Sequence, residues 1–213
     1  MIELNNVCLQ RGSFQLNGLS MKISEPGLHL LTGETGAGKT SIVEAICGLQ
    51  PVTSGTINLR GVDVLDVPPA GRSIGYLPQD VALFDHLTVK ENLRFSCKVR
   101  GWKSNKISER IDSLAGSLGL GDLLNRYPSG LSGGQKQVVA LGRALAFEPD
   151  LVCLDEPFVT LDSQTRETMI DWFQRYVQEN NVTVLAVTHQ PQWLASGANT
   201  RWNIDQQGNL TNG

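Results

Sequence analysis

The segment that most constrains the fold is Gly33-Glu34-Thr35-Gly36-Ala37-Gly38-Lys39-Thr40, which fits G-x-x-x-x-G-K-[ST]. That pattern works in one setting, a loop between the end of a buried strand and the start of a helix. Both flanks suit it. Leu28-His29-Leu30-Leu31-Thr32 reads as a short buried strand. Thr40 through Leu49 reads as a helix with Ile42, Ile46 and Leu49 on one face. The glycines let backbone N–H groups close around an anion without side chains in the way. Lys39 brings a point charge to the outer phosphates of a nucleotide, and the Thr40 hydroxyl suits the Mg²⁺ that travels with it.

The pattern around this loop is that of an α/β protein. Thr56-Ile57-Asn58-Leu59-Arg60 alternates as a strand after a Ser54-Gly55 turn, and Ser73 to Leu77 is a second strand ending at Pro78-Gln79. From about 88 to 127 the character changes. Thr88 and Glu91 form a T-x-x-E capping box, and Ile107, Ile111, Leu114 and Leu118 recur at helical spacing. Leu151-Val152-Cys153-Leu154 is wholly apolar, as in a parallel strand covered on both faces, and Val182 to Thr188 is another such strand. Between them, Asp162 or Ser163 caps a helix with Met169, Phe173, Tyr176 and Val177 inward. Strands alternating with helices give a doubly wound core, with ligands at the carboxyl ends of the strands.

Bulk properties exclude several classes. At 213 residues the chain can bury a sizeable core. A net charge of −3 with scattered Lys and Arg leaves no basic footprint, so no nucleic-acid partner is expected. No apolar run approaches the roughly 18 residues needed to span a bilayer. Met1-Ile2-Glu3-Leu4 starts with strand-like alternation, and no signal peptide is expected. Cys8, Cys47, Cys97 and Cys153 lack metal-ligand spacing and read as reduced, buried thiols.

Two further segments carry chemistry. Asp155-Glu156 follows the apolar strand, where one carboxylate can hold Mg²⁺ opposite Thr40 and the other can polarise a water. Leu131-Ser132-Gly133-Gly134-Gln135 precedes a helix carrying Val138, Leu141 and Leu145. Ser132 can cap that helix, and the glycines leave N–H donors open to an anion. The residues alone also allow an ordinary capped helix with a flexible entry.

The ordered set of motifs resembles the ATP-binding cassette (ABC) ATPases over almost the whole chain. LSGGQ at 131–135 resembles their signature, Gly33–Thr40 the Walker A loop, and Leu151–Glu156 the Walker B strand. Tyr76-Leu77-Pro78-Gln79 is similar to the Q-loop, Leu161-Asp162 to the D-loop, and Thr188-His189 to the switch histidine. The resemblance implies one nucleotide-binding domain over 1–213, an α/β fold. Its P-loop NTPase (RecA-like) core would cover about 1–85 and 135–213, with an N-terminal antiparallel β region and an inserted helical lobe at about 86–134.

The resemblance also implies a mechanism and partners. ATP and Mg²⁺ would be bound by Gly33, Glu34, Thr35, Gly36, Ala37, Gly38, Lys39, Thr40 and Ser41, with Gln79 and His189. Thr40, Gln79 and Asp155 would serve the metal. Glu156 would be the general base, with Lys39 and His189 at the γ-phosphate. Two cassettes, a homodimer or a pair with a homologous cassette, would close head to tail, bringing Ser132, Gly133, Gly134, Gln135 and Asp162 to the partner's ATP. The expected role is that of the ATPase subunit of a transporter, importer favoured, coupled to membrane-spanning subunits and a solute-binding protein. Its expected place is cytoplasmic, peripheral on the inner face of the membrane. The alternative is a non-transport cassette acting as a conformational switch on protein or nucleic acid. Four positions depart from the family pattern. Arg11 stands where an aromatic ring stacks on adenine, and its guanidinium or Phe14 would substitute. Val138, Gly142 and Gln190 replace the usual arginine, alanine and acid.

Overall fold

The computed structural model describes residues 1–12 and 14–212. Two sheets organise the chain. The first is antiparallel, in the order β2-β1-β4-β5, formed by β1 (Ile2–Arg11), β2 (Phe14–Ile23), β4 (Val52–Leu59) and β5 (Val62–Asp63). The second has the order β10-β9-β3-β8-β7-β6, from β3 (Gly27–Gly33), β6 (Ile74–Leu77), β7 (Leu151–Asp155), β8 (Thr183–Val187), β9 (Ala198–Ile204) and β10 (Leu210–Asn212). Strands β9 through β6 in that order are mutually parallel, and β10 is antiparallel to β9.

The parallel strands are apolar because both faces are covered. Every residue of β7 and β8 is buried. On one face lies α1 (Lys39–Cys47), with Ile42, Val43 and Ile46 packed toward the antiparallel sheet in a common core. On the other lie α4 (Gly133–Leu145) and α5 (Ser163–Glu179). Their core is continuous with that of α2 (Val89–Val99) and α3 (Ser104–Ser117). Asp162 caps α5 by accepting from Thr165 N–H at 3.0 Å, and Met169, Phe173, Tyr176 and Val177 are buried as expected.

The expected Thr88 capping box is present, and Ser132 with Gln135 forms a second. Thr88 Oγ1 accepts from Glu91 N–H while Thr88 N–H donates to Glu91 Oε2 at 2.8 Å. One residue inside α2, Asn92 is fully buried. Its Nδ2 donates to the carbonyls of Phe84, Leu87 and Thr88, and its Oδ1 accepts from Phe84 N–H. A polar side chain thus fixes the segment between β6 and the helices.

Three local expectations change. Helix α1 stops at Cys47 because Gly48 adopts φ 80, and Leu49 lies outside it, 54% exposed rather than on the buried face. Ser54-Gly55 is not a turn but part of β4. Gly55 (φ 90) lies at a bulge so close to the carbonyls of Asn5 and Asn6 that a Cβ would sit 2.4 Å from Asn6 O. Cys8 is only half-buried, whereas Cys47, Cys97 and Cys153 are buried; all four are free thiols.

Candidate active site

The carboxyl ends of β3, β6, β7 and β8 converge on one cleft of about 590 Å³. Its walls include Thr35, Gly36, Gly38, Lys39, Thr40 and Ser41 from the glycine loop and the start of α1, and Gln79 beyond β6. Asp155 and Glu156 come from the end of β7, His189 from beyond β8, and Arg11 and Phe14 from the antiparallel sheet. Residues distant in sequence but expected to share one site are therefore together.

The loop is shaped by close approaches. At Gly38, which precedes α1 with φ 94, a Cβ would lie 2.6 Å from both the Phe14 ring and Leu16. Gly33 (φ 147) abuts Ile204 of β9, where a Cβ would fall 2.3 Å from a carbonyl oxygen. Lys39 Nζ donates to the carbonyls of Gly33 (2.8 Å) and Glu34 (2.7 Å), folding the ammonium across the loop. Burial lowers its pKa, with the Glu156 and Asp155 carboxylates opposing that shift.

At the far wall Thr40 Oγ1 donates to Asp155 Oδ2 at 2.6 Å. Asp155 is 1% exposed, and burial raises its pKa above the usual carboxylate value. Oxygen donors of this kind, one of them a desolvated carboxylate, suit a small hard divalent cation. Glu156 Oε1 accepts from His189 N–H at 2.9 Å and pairs with His189 Nδ1 at 2.7 Å. The other ring nitrogen, Nε2, lies 3.1 Å from Gln190 Nε2. An amide N–H donated there makes His189 the Nδ1–H tautomer, donating to Glu156.

Other predicted residues lie outside this cleft. Gly33 and Glu34 line an adjacent open depression with His189, and Ala37 is buried beneath the loop. Ser132, Gly133, Gly134, Gln135 and Asp162 line none of the cleft. Ser132 Oγ accepts from Gln135 N–H while Gln135 Oε1 accepts from Ser132 N–H, so the capping box leaves the Ser132 hydroxyl proton to donate outward. Arg11 does reach the cleft, but its Nη1 is paired with Glu44 Oε2 at 2.7 Å. Gly142 has a packing reason: a Cβ would lie 2.8 Å from Leu93 Cδ2 and 2.9 Å from Leu118 Cδ1.

Sequence reasoning passed over two polar side chains of α4. Gln137 is buried and bonds to the backbone of Glu156 and to Thr160. Arg143 donates to the carbonyls of Val81 and Ala82, both in left-handed conformations just beyond Gln79. Their one available signal was polarity at positions where α4 faces the protein.

The chain is similar to known proteins both in sequence and in fold. Residues 16–159 match the family model described as ABC transporter. A sulfate/thiosulfate import ATP-binding protein of Nocardia farcinica is 38% identical over 193 residues, 90% of this chain and 58% of the relative. A molybdate/tungstate import ATP-binding protein of Pyrococcus abyssi is 39% identical over 189 residues, 89% of this chain and 55% of the relative. The chain thus spans little more than half the length of these curated relatives. A solved dimeric bacterial ABC transporter cassette matches with TM-score 0.86 at 27% identity, covering 97% of this chain and 95% of that one. A dimeric cassette in a post-hydrolysis state bound to ADP and Pi shares the fold, with TM-score 0.88 at 24% identity over 99% of this chain and 98% of that one.

Proposed function

Because this chain belongs to the ABC transporter family, we propose that it is the ATP-binding and ATP-hydrolysing subunit of an importer whose membrane-spanning subunits are separate chains. The observation that carries the reading is the single cleft joining the glycine loop to Asp155, Glu156 and His189, with the Ser132–Gln135 helix start outside it. One chain then offers a nucleotide two different surfaces, and a second copy, set head to tail, is what makes both available to one ATP.

In this reading the loop N–H groups and Lys39 hold the β- and γ-phosphates. Thr40, Gln79 and Asp155 would hold Mg²⁺, which when bound neutralises charge on the phosphate oxygens. Glu156 orients and deprotonates the attacking water. Among the described residues its Oε2 accepts no hydrogen bond, which leaves that oxygen for a water while His189 holds Oε1. Once relieved of Gln190 and carrying a proton on Nε2, His189 donates that N–H to the γ-phosphate. From the partner, Ser132, Gly133, Gly134, Gln135 and Asp162 complete the site.

No helix among the described residues is long and apolar enough to cross a membrane, so coupling requires a docking surface. Phe84 packs on Phe95 (ring centroids 4.5 Å apart) beside exposed Val99, and Tyr127 is 52% exposed. This apolar edge of the helical region receives the membrane subunit, on the inner face of the membrane. The relatives named above are import ATP-binding proteins for sulfate/thiosulfate and molybdate/tungstate, and oxyanions of that kind, delivered by a solute-binding protein, are the first cargo to test.

The test is Glu156→Gln. It keeps ATP binding, loses hydrolysis and accumulates a nucleotide-bound dimer visible by size-exclusion chromatography. Hydrolysis at the wild-type rate in this variant would remove Glu156 from the role of base. Uptake of labelled oxyanion in vesicles carrying the full complex tests the transport assignment; ATP-independent uptake would refute it.

A further inference from the structure

The residue read above as the base stands in a backbone conformation that needs outside support. Glu156 has φ 51, a left-handed geometry that L-residues other than Asn and Asp rarely adopt. Two hydrogen bonds hold it there. Its N–H donates to Val187 O at 3.0 Å, and its carbonyl accepts from Gln137 Nε2 at 2.8 Å. The first fixes the peptide plane before the Glu156 Cα and the second the plane after it. Together they set φ and ψ, and with them the direction in which the carboxylate leaves the chain.

Val187 belongs to the parallel sheet and Gln137 does not. Gln137 lies on α4, just past the turn formed by Ser132–Gln135. At its other end Oε1 accepts from Thr160 N–H at 3.1 Å and from Thr160 Oγ1 at 2.6 Å. The side chain is 2% exposed. Its amide has one workable orientation: flipped, it would set oxygen against the Glu156 carbonyl and NH₂ against the Thr160 N–H. The first turn of α4 also packs on the same loop, since a Cβ on Gly134 would lie 3.1 Å from Leu161 Cδ2.

We propose that Gln137 is a positioning residue for hydrolysis: its buried amide clamps Glu156 in the left-handed conformation and ties the carboxylate to the helix that starts at Ser132–Gln135. The inference rests on the reading of Glu156 as the base. It makes the rate of the chemical step, rather than nucleotide binding, depend on a side chain that does not line the nucleotide cleft.

The test is Gln137→Met. It keeps the length of the side chain and removes the donor to the Glu156 carbonyl together with the acceptor for Thr160, adding no charge beside the two carboxylates. The kcat for ATP falls about 10-fold or more, equivalent to about 1.4 kcal/mol, while KM stays within about 3-fold. An unchanged kcat, or a loss confined to KM, overturns the proposal. If that variant does not fold, Thr160→Val removes one bond from the same amide and is read the same way, with a smaller fall in kcat expected and none overturning it. A crystal structure of the folded variant reads the clamp without activity. Glu156 leaves the left-handed region if Gln137 holds it, and a retained φ near +50° overturns the inference. Full hydrolysis by Glu156→Gln would instead defeat the reading of the base, which separates the two failures.

Discussion

Arg72 gives the sharpest prediction about what holds the nucleotide loop in place. It is 5% exposed, and its partners are backbone carbonyls. Nη1 donates to Ala45 O (2.8 Å) and Ile46 O (2.9 Å), the last turn of α1, and Nε to Val67 O (2.9 Å). The guanidinium also lies flat on Gly48, where a Cβ would be 2.7 Å from Nε. A cation is thus buried at the negative end of the helix whose other end carries Lys39 and Thr40. Arg72→Met keeps most of the apolar stem and removes these three bonds and a longer one, 3.5 Å, from Nη2 to Leu65 O. Ala45 O retains a second partner in Gly48 N–H, whereas Ile46 O and Val67 O lose a charge-assisted donor. At about 1–3 kcal/mol for each stranded buried carbonyl, offset in part by no longer desolvating a charge, the net loss is about 3 kcal/mol. For a domain of this size that lowers Tm by about 6–12 °C. Thermal and urea unfolding measure it, with Arg72→Lys as comparator. A lysine provides one point charge and cannot reach three carbonyls as a fork, so it recovers less than half of the loss. A drop in Tm below about 3 °C for Arg72→Met would show that the buried cation costs as much as it contributes, and would refute the reasoning.

Other positions give smaller effects of defined sign. Gly142→Ala gains about 1 kcal/mol of helix propensity but forces Leu93 and Leu118 aside at about 1–3 kcal/mol, so urea unfolding shows a net loss of about 1 kcal/mol. His29, buried with Nε2 on Glu25 O and Nδ1 on Thr200 Oγ1, has its pKa lowered chiefly by burial. The unfolded chain therefore binds its proton more readily. The stabilisation from the neutral ring is complete above about pH 6.5 and lost as pH falls through the lower native value. In His29→Asn, stability falls less between pH 7 and pH 5 than in the wild type. Arg11→Ala breaks an exposed pair with Glu44 that is worth about 0.5 kcal/mol or less, and so leaves Tm nearly unchanged. Calorimetric titration shows it weakening ATP binding more than inorganic triphosphate binding; equal losses would remove Arg11 from the base-recognition surface.

The parts of this molecule legible in its sequence are those whose chemistry is local. A glycine loop between an apolar run and a helix, an Asp-Glu pair after an apolar strand, and Ser or Thr three residues before Gln or Glu each carry their geometry within a few neighbours. The structure places the loop, Asp155, Glu156 and His189 in one cleft because parallel strands deliver their carboxyl ends to one edge. What the sequence concealed depends on distant partners. Gly55 looks like a turn until its carbonyl neighbours on β1 are seen. Gly142 looks like a weak spot in a helix until the leucines of the facing helical region are placed against it. Arg11 looks like a free guanidinium plane until Glu44 takes its Nη1.

The same distinction explains why α4 carries more of the site than its motif suggests. Its first turn shows in the sequence because Ser132 and Gln135 cap each other locally. Gln137 and Arg143 sit among apolar positions of the same helix and look like interruptions of its buried face. Each spends its donors on a segment far along the chain: Gln137 on the loop that holds Glu156, Arg143 on the left-handed pair Val81 and Ala82 beyond Gln79. The Gln137 bond is buried, and stranding the Glu156 carbonyl costs about 1–3 kcal/mol, whereas the Arg143 bonds reach half-buried Val81 and exposed Ala82. A rigid helix bonded to both segments moves with them or breaks those bonds. A ligand that displaces α4 at its exposed start would strain these bonds, a coupling that a double-mutant cycle between Ser132 and Gln137 measures; additive effects on kcat would refute it.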